Sequence, residues 1–295
     1  MRIPLLHCLL FLIGPLHAAP TDDVDVFTGT SNSRWMMFPG ATLPFGLVKL
    51  SPDNQGNVWN GGYEYTIGSI SGFSHLHAFS LSGLSLMPFV GSIADRPFPG
   101  AADAPVGGMW TSGYRSRYRK EDEQGRPGYY RVFLMDSKVN TELTATMRCG
   151  MTRLTYPASD QSRLLVNFDF LTEEKSEILG VTVQKKSPTE IEGSIRQKNG
   201  YAQEFTVHFV LQLSRPLASV DAWTIGEYEG NDRSYGTDFR RPVTWQKDIQ
   251  TFAGGSNTGL SLNFTTTAGE QIVTRSGISL VSIEGARNNL ETEMK

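Results

Sequence analysis

From residue 128 onward, apolar and polar side chains alternate with a period close to two, and this restricts the fold more than any other feature. Val139, Thr141, Leu143, Ala145 and Met147 interleave with Asn140, Glu142, Thr144 and Thr146. Phe205, Val207, Phe209, Leu211 and Leu213 interleave with Thr206, His208, Val210 and Gln212. Leu260, Leu262 and Phe264 repeat the pattern with Ser261, Asn263 and Thr265. Successive side chains of a strand point to opposite faces, so each run predicts a strand with one face on a core. Ser187-Pro188-Thr189, Lys198-Asn199-Gly200 and Gly254-Gly255-Ser256-Asn257 supply the turns. Many strands with almost no helical period predict an antiparallel sandwich or barrel. His208 falls on the less apolar face of its strand, where a hydrogen-bonded sheet histidine is expected rather than a ligand.

Residues 20–127 read differently. Gly, Pro and aromatic residues dominate and clean periods are few, as in long loops and short strands wrapped on a sandwich. The 295 residues suffice for one large β domain or two ordinary ones. A net charge of −3 with interspersed signs gives no electrostatic case for nucleic acid or an anionic membrane.

The N-terminus, MRIPLLHCLLFLIGPLHAAP, has Arg2, an apolar run over residues 5–16 and small residues Ala18 and Ala19. That is the pattern of a secretory signal peptide over residues 1–19, too short for a membrane span. Cys8 belongs to the leader, which leaves Cys149 alone and the fold without an intrachain disulfide. Nothing local activates Cys149, so a buried inert thiol is expected. Asn263-Phe264-Thr265 is a glycosylation sequon. At the other end, Ser282 is placed to cap a helix whose apolar residues are Ile283, Ala286, Leu290 and Met294. Such a stripe needs cover, either the sandwich itself or, as the favoured expectation, a domain beyond this chain.

Three constellations bear on chemistry. His75 and His77 stand two apart, a spacing able to chelate a metal on a strand, but a third ligand such as Asp53 or Glu64 would have to be recruited. Hydrogen bonding to a polar ligand or to loop backbone is the expected role, and no metal site is assigned. Trp35, Phe38, Phe45, Trp59, Tyr63, Tyr65, Phe73 and Phe79 crowd into one stretch. Sugars present apolar C–H faces with hydroxyl rims, which suit Trp and Tyr, although as a set these aromatics also fit a core under glycine-rich loops. Trp59, between Asn57 and Asn60-Gly61-Gly62, reads as loop-exposed. Acidic residues fall in charged, turn-like runs, and no pair stands out as the acid and base of a glycosidase. No phosphate loop, dinucleotide fingerprint or nucleophile elbow is present.

VDVFTGT (24–30), FPGATLPFGLVKLSPD (38–53), GGYEYTIGSISGFSHLH (61–77), PGYYRVFL (127–134), ELTATMRCG (142–150) and SLVSIEGARNNLETEM (279–294) follow in order. Together they resemble the N-terminal domain of glycoside hydrolase family 92, the calcium-dependent α-mannosidases. The resemblance implies an all-β, galactose-mutarotase-like antiparallel β-supersandwich over residues 20–277. Residues 278–295 would begin a helical linker to an (α/α)6 catalytic domain absent from this chain. It further implies inverting cleavage of terminal α-mannose from glycans. Acid, base and Ca2+ ligands would lie in that absent domain, so no catalytic residue is assigned here and the chain alone is expected to be inactive. Positions matching the substrate wall are Phe38, Phe45, Trp59, Gly61, Tyr63, His75 and His77. The implied partners are mannose-containing glycans and the catalytic domain, with secretion to the cell exterior. The chain departs from the family pattern at His75-Leu76-His77-Ala78-Phe79 and at Thr66, which bears on the linkage preferred. A stand-alone carbohydrate-binding module and a truncated remnant are the alternatives.

Overall fold

The computed structural model describes residues 19–31, 37–54, 61–77, 83–93, 97–99, 113–171, 176–226 and 242–295. The proposed leader, apart from Ala19, and Trp59 lie outside these residues. Two antiparallel sheets form the body. The first runs β1 (Ala41–Thr42), β2 (Lys49–Asp53), β4 (Gly72–Ser74), β5 (Ser85–Val90), β11 (Ser159–Asn167), β18 (Thr258–Thr266), β15 (Ser219–Ile225), β16 (Val243–Gln246). The second runs β17 (Thr251–Gly254), β12 (Glu177–Ser187), β13 (Glu190–Lys198), β14 (Glu204–Leu213), β19 (Glu270–Ser279), β10 (Cys149–Tyr156), β9 (Val139–Ala145), β8 (Tyr129–Leu134), β7 (Gln124–Arg126). A small ribbon pairs β3 (Ser69–Ile70) with β6 (Ser116–Arg117). The expected antiparallel sandwich is the fold of this chain.

The alternation places the core. Val207, Phe209 and Leu211 of β14 and Leu154 and Tyr156 of β10 meet Leu260, Leu262 and Phe264 of β18 in one buried cluster. Tyr156 meets Phe264 edge-on across the two sheets, ring centroids 5.3 Å apart. Burying such side chains is the main favourable term, about 1.5–3 kcal/mol for each large one. The expected turns are in place: residues 188–189 join β12 to β13, and 199–203 join β13 to β14.

Ile283–Glu293 forms the only α-helix among the described residues, α1, and Ser282 caps it by accepting from the Gly285 N–H at 3.0 Å. Its stripe does not wait for an absent domain. Ala286, Leu290 and Met294 are buried against Cys149 and Val210 on the outer face of the second sheet. The outward side of β14 is therefore apolar at Val210 because a helix covers it. Gly277 on β19 makes this possible, since a Cβ there would stand 2.2 Å from the Ala286 carbonyl oxygen. Arg287 pairs with Glu190 and Glu192, and Asn289 donates to the Ile278 carbonyl. The stripe is therefore covered by this chain's own second sheet.

Two smaller expectations are also adjusted. His208 Nδ1 is buried and finds no hydrogen-bond partner among the described residues, and burial lowers its basicity against the opposing pull of Glu284. Asn263 lies mid-strand, and its Nδ2 donates to Ser219 Oγ and Asp221 Oδ2, so the sequon's amide is engaged in the fold. Cys149 is fully buried, and burial pushes its thiol up to about 12, which keeps it protonated and unreactive at neutral pH.

Candidate functional site

The loop wall is organised around one fully buried carboxylate. Asp53 closes β2, and its Oδ1 accepts from Ser74 Oγ at 2.8 Å and from His77 Nε2 at 2.7 Å. Its Oδ2 accepts from Ser85 Oγ at 3.0 Å. His77 Nδ1 donates to the Lys49 carbonyl at 3.0 Å, so one ring spans the length of β2. Gly62 lies against this knot with φ +86°, and a Cβ there would come within 3.1 Å of Asp53 Oδ1 and 3.2 Å of His77 Nε2. Glycine is required both for the left-handed backbone and for the close approach. Asn54 holds the same loop by accepting from the Glu64 N–H and donating to the Glu64 carbonyl. The Phe38 ring lies 5.3 Å from the His77 ring.

Serine, histidine and aspartate together suggest a nucleophilic triad, and the geometry refuses it. A triad histidine takes the serine proton, but here Ser74 Oγ donates to Asp53 Oδ1 at 2.8 Å and lies 3.2 Å from His77 Nδ1, which is nearer to the Lys49 carbonyl at 3.0 Å. All three side chains are buried. The knot ties β2 to β4 and β5.

The sequence candidates divide. Phe38 and His77 come together at the knot with Gly62, while Gly61 is buried one residue before it. His75 serves another set: Nδ1 donates to the Leu84 carbonyl at 2.8 Å, and Nε2 meets Ser276 Oγ of β19 at 2.6 Å. The histidine pair therefore engages two separate groups of partners. Among the described residues no group of three or more His, Cys, Asp or Glu is arranged to hold a metal ion. Tyr63 turns away from the knot and donates to Glu123 at 2.8 Å, within a cluster of Tyr118, Tyr130 and Lys120. Burial lowers the basicity of Lys120 against the opposing pull of Glu123. Sequence reasoning missed Lys120 and Glu123, because a charged run reads as solvated surface until tyrosines cover it.

Phe45 stands apart. Gly46 N–H donates to the Leu43 carbonyl at 2.9 Å, closing a turn with Pro44 second and Phe45 third. Phe45 holds φ +62° there, a position glycine normally fills. Its side chain is fully exposed, at 101%. Leu43 and Met147 are exposed beside it, and the Leu47 and Val48 N–H groups anchor the turn on the Met147 carbonyl. Glu293, at the end of α1, bonds to Thr146 and Arg148 on either side of Met147.

His75 makes stability depend on pH. Burial pushes its pKa down to about 4 from an ordinary 6.5. The unfolded chain therefore takes up a proton first, and stability falls as pH drops through that window. Chemical denaturation at pH 7 and pH 5 is expected to differ by about 2 kcal/mol through this group. The His75→Gln variant should lose that difference. An undiminished difference in the variant would assign the effect elsewhere.

The fold and the wall define an all-β domain whose loops are braced by buried polar groups to present a rigid face. Residues 23–279 match the glycosyl hydrolase family 92 N-terminal domain, and the chain belongs to this family. The family GH92 α-mannosidase BT3965 from Bacteroides thetaiotaomicron, solved in complex with mannoimidazole, is 28% identical, with a TM-score of 0.74. That match covers 92% of this chain and 34% of the mannosidase. The GH92 family glycosyl hydrolase ccman5 is 24% identical, with a TM-score of 0.72 over 93% of this chain and 34% of that one, a likeness of fold. An uncharacterized secreted glycosidase of Arthroderma benhamiae is 28% identical over 162 residues, 53% of this chain and 20% of the fungal protein. The chain thus spans about a third of the solved relatives' length.

Proposed function

We propose that this chain is the N-terminal, subsite-forming part of a secreted inverting α-mannosidase that trims terminal α-mannose from glycans, and that it is inactive alone. The Phe45 turn carries this reading. A fully exposed ring on a backbone that costs about 1–2 kcal/mol does nothing for this domain by itself. It suits a contact made by a larger assembly. The braced knot behind Phe38 and His77 would hold the wall still while sugar binds. Secretion is supported by the leader pattern and by the fungal relative's description as secreted. No helix among the described residues is long and apolar enough to cross a membrane.

In the complete enzyme, water attacks the anomeric carbon while an acid protonates the leaving oxygen. Glu123 and Glu142, the carboxylates that line the cleft beside Phe27, do not suit these roles. Glu142 is held below the ordinary range by Arg153, the reverse of what a general acid needs. Glu123 is engaged by Lys120, Tyr63 and Tyr130. On this reading the calcium ligands, with the acid and base, belong to the (α/α)6 domain.

The purified chain is expected to release no mannose from α-linked mannobioses, with calcium or with chelator. Turnover would place acid and base here and overturn the proposal. In a complete enzyme carrying this domain, Phe45→Gly should lower kcat/KM by about tenfold or more, a loss of about 1.4 kcal/mol. Domain stability should not fall, because glycine relieves the strained turn. Mannose binding by an inactive chain that is indifferent to Phe45→Gly would favour a stand-alone binding module.

A further inference from the structure

The geometry points to a second glycan site, apart from the Asp53 knot, in the cleft between the Phe27 loop and the β7–β8 hairpin. Its ligand class is a neutral, disaccharide-sized stretch of sugar chain. The cleft encloses about 680 Å³, and Phe27, Gln124, Arg126, Tyr129, Glu142 and Arg153 line it. Small-molecule sites commonly measure about 300–1,000 Å³. Neither Phe38, Asp53 nor His77 lines it.

The lining carries both halves of sugar recognition. Phe27 gives an apolar ring, held by Tyr65 at 5.9 Å and Tyr63 at 6.5 Å. Its backbone is fixed as well: the Phe27 N–H donates to Asp25, and its carbonyl accepts from Thr30. Tyr129 gives a second ring, with the Arg126 guanidinium 4.9 Å from its centre. The polar half is set in advance. Arg153 on β10 and Glu142 on β9 are directly opposed in register, and Arg153 donates through Nε and Nη2 to the two Glu142 oxygens. Tyr129 donates its hydroxyl to Glu142 at 2.7 Å. A guanidinium and a carboxylate in one plane offer paired donors and acceptors, which match neighbouring sugar hydroxyls at small ordering cost.

The charge pattern selects the ligand. Arg153 holds Glu142 below the usual carboxylate range, and the lining balances Arg126 and Arg153 against Glu123 and Glu142, so the cleft has no net positive charge to favour an anion. A peptide has little to pair with, since β7 spans only three residues. The lining of the other described pocket, under α1, contains no aromatic ring. The inference does not rest on the mannosidase reading, because the ligand class follows from the lining alone.

The test is calorimetric titration of the purified chain with α-mannobiose, cellobiose and mannose 6-phosphate. At least one neutral disaccharide is expected to bind with Kd on the order of 1 mM. Phe27→Ser and Glu142→Gln should each weaken that binding about tenfold or more. Tyr201→Ser, at an exposed aromatic on the β13–β14 turn, should leave it unchanged. Circular dichroism checks folding, and the isosteric Glu142→Gln carries the test if Phe27→Ser unfolds. Undiminished binding in a folded Glu142→Gln chain, preference for mannose 6-phosphate, or no saturable binding would each overturn the proposal. Undiminished mannobiose binding would point back to the wall, while enzyme activity tests the mannosidase reading separately.

Discussion

Asp53→Ala is expected to destabilise the chain by about 3–5 kcal/mol, because each buried donor left without its acceptor costs about 1–3 kcal/mol. The carboxylate is fully buried and accepts from Ser74, Ser85 and His77. Alanine strands all three donors and leaves a cavity under the Gly62 loop. Domains of this kind have only about 5–15 kcal/mol to lose, so one substitution removes a large share. Urea denaturation followed by tryptophan fluorescence measures the change. Asp53→Asn keeps an acceptor for His77 and should cost less than alanine. A loss under 1 kcal/mol in the alanine variant would mean the knot is not what braces the loop wall.

Gly277→Ala carries the second large effect. The added Cβ would meet the Ala286 carbonyl oxygen at 2.2 Å and Leu290 Cβ at 3.0 Å. The first of these is backbone of a docked helix, so α1 must shift outward as a body. Overpacking of this kind costs about 1–3 kcal/mol, and here it also uncovers Ala286, Leu290 and Met294. Hydrogen exchange is expected to accelerate across residues 283–293 and to change little in β5 and β11. Gly255→Ala is the control, because nothing lies within 4 Å of a Cβ there. Normal protection of the helix in Gly277→Ala would show that the helix–sheet contact yields freely.

These two variants bear on function differently. The Asp53 knot sets the wall that includes Phe38 and His77, whereas Gly277 sets the course of α1. Glu293 fixes the end of that helix beside Met147, next to the exposed Phe45 turn. On the proposed reading, a shifted α1 disturbs whatever meets Phe45 without touching the knot. Loss of sugar contact in Asp53→Asn and loss of Phe45-dependent activity in Gly277→Ala would then be separable.

The sequence by itself determined the sheets. Alternation along β9, β14 and β18 names most of the core residues, among them Val139, Leu143, Val207, Phe209, Leu260 and Phe264, because burial on one face of a pleated strand demands that period; Met147, past the end of β9, is exposed instead. Turn residues and the Ser282 cap were also legible, since their chemistry is local. The six ordered motifs carried the family. Tertiary structure decided which side of each strand the helix covers, which is why Val210 is buried on a face that reads as mixed. It also decided that His75 and His77 part company, one to Ser276, 201 residues away, and the other to Asp53. A two-residue spacing states what a strand could align, but these histidines follow the last residue of β4, where neighbours from three strands choose the partners. Lys120 and Glu123 were hidden for the same reason. Hydrogen bonds between residues distant in sequence leave no period, so only the packed chain reveals them.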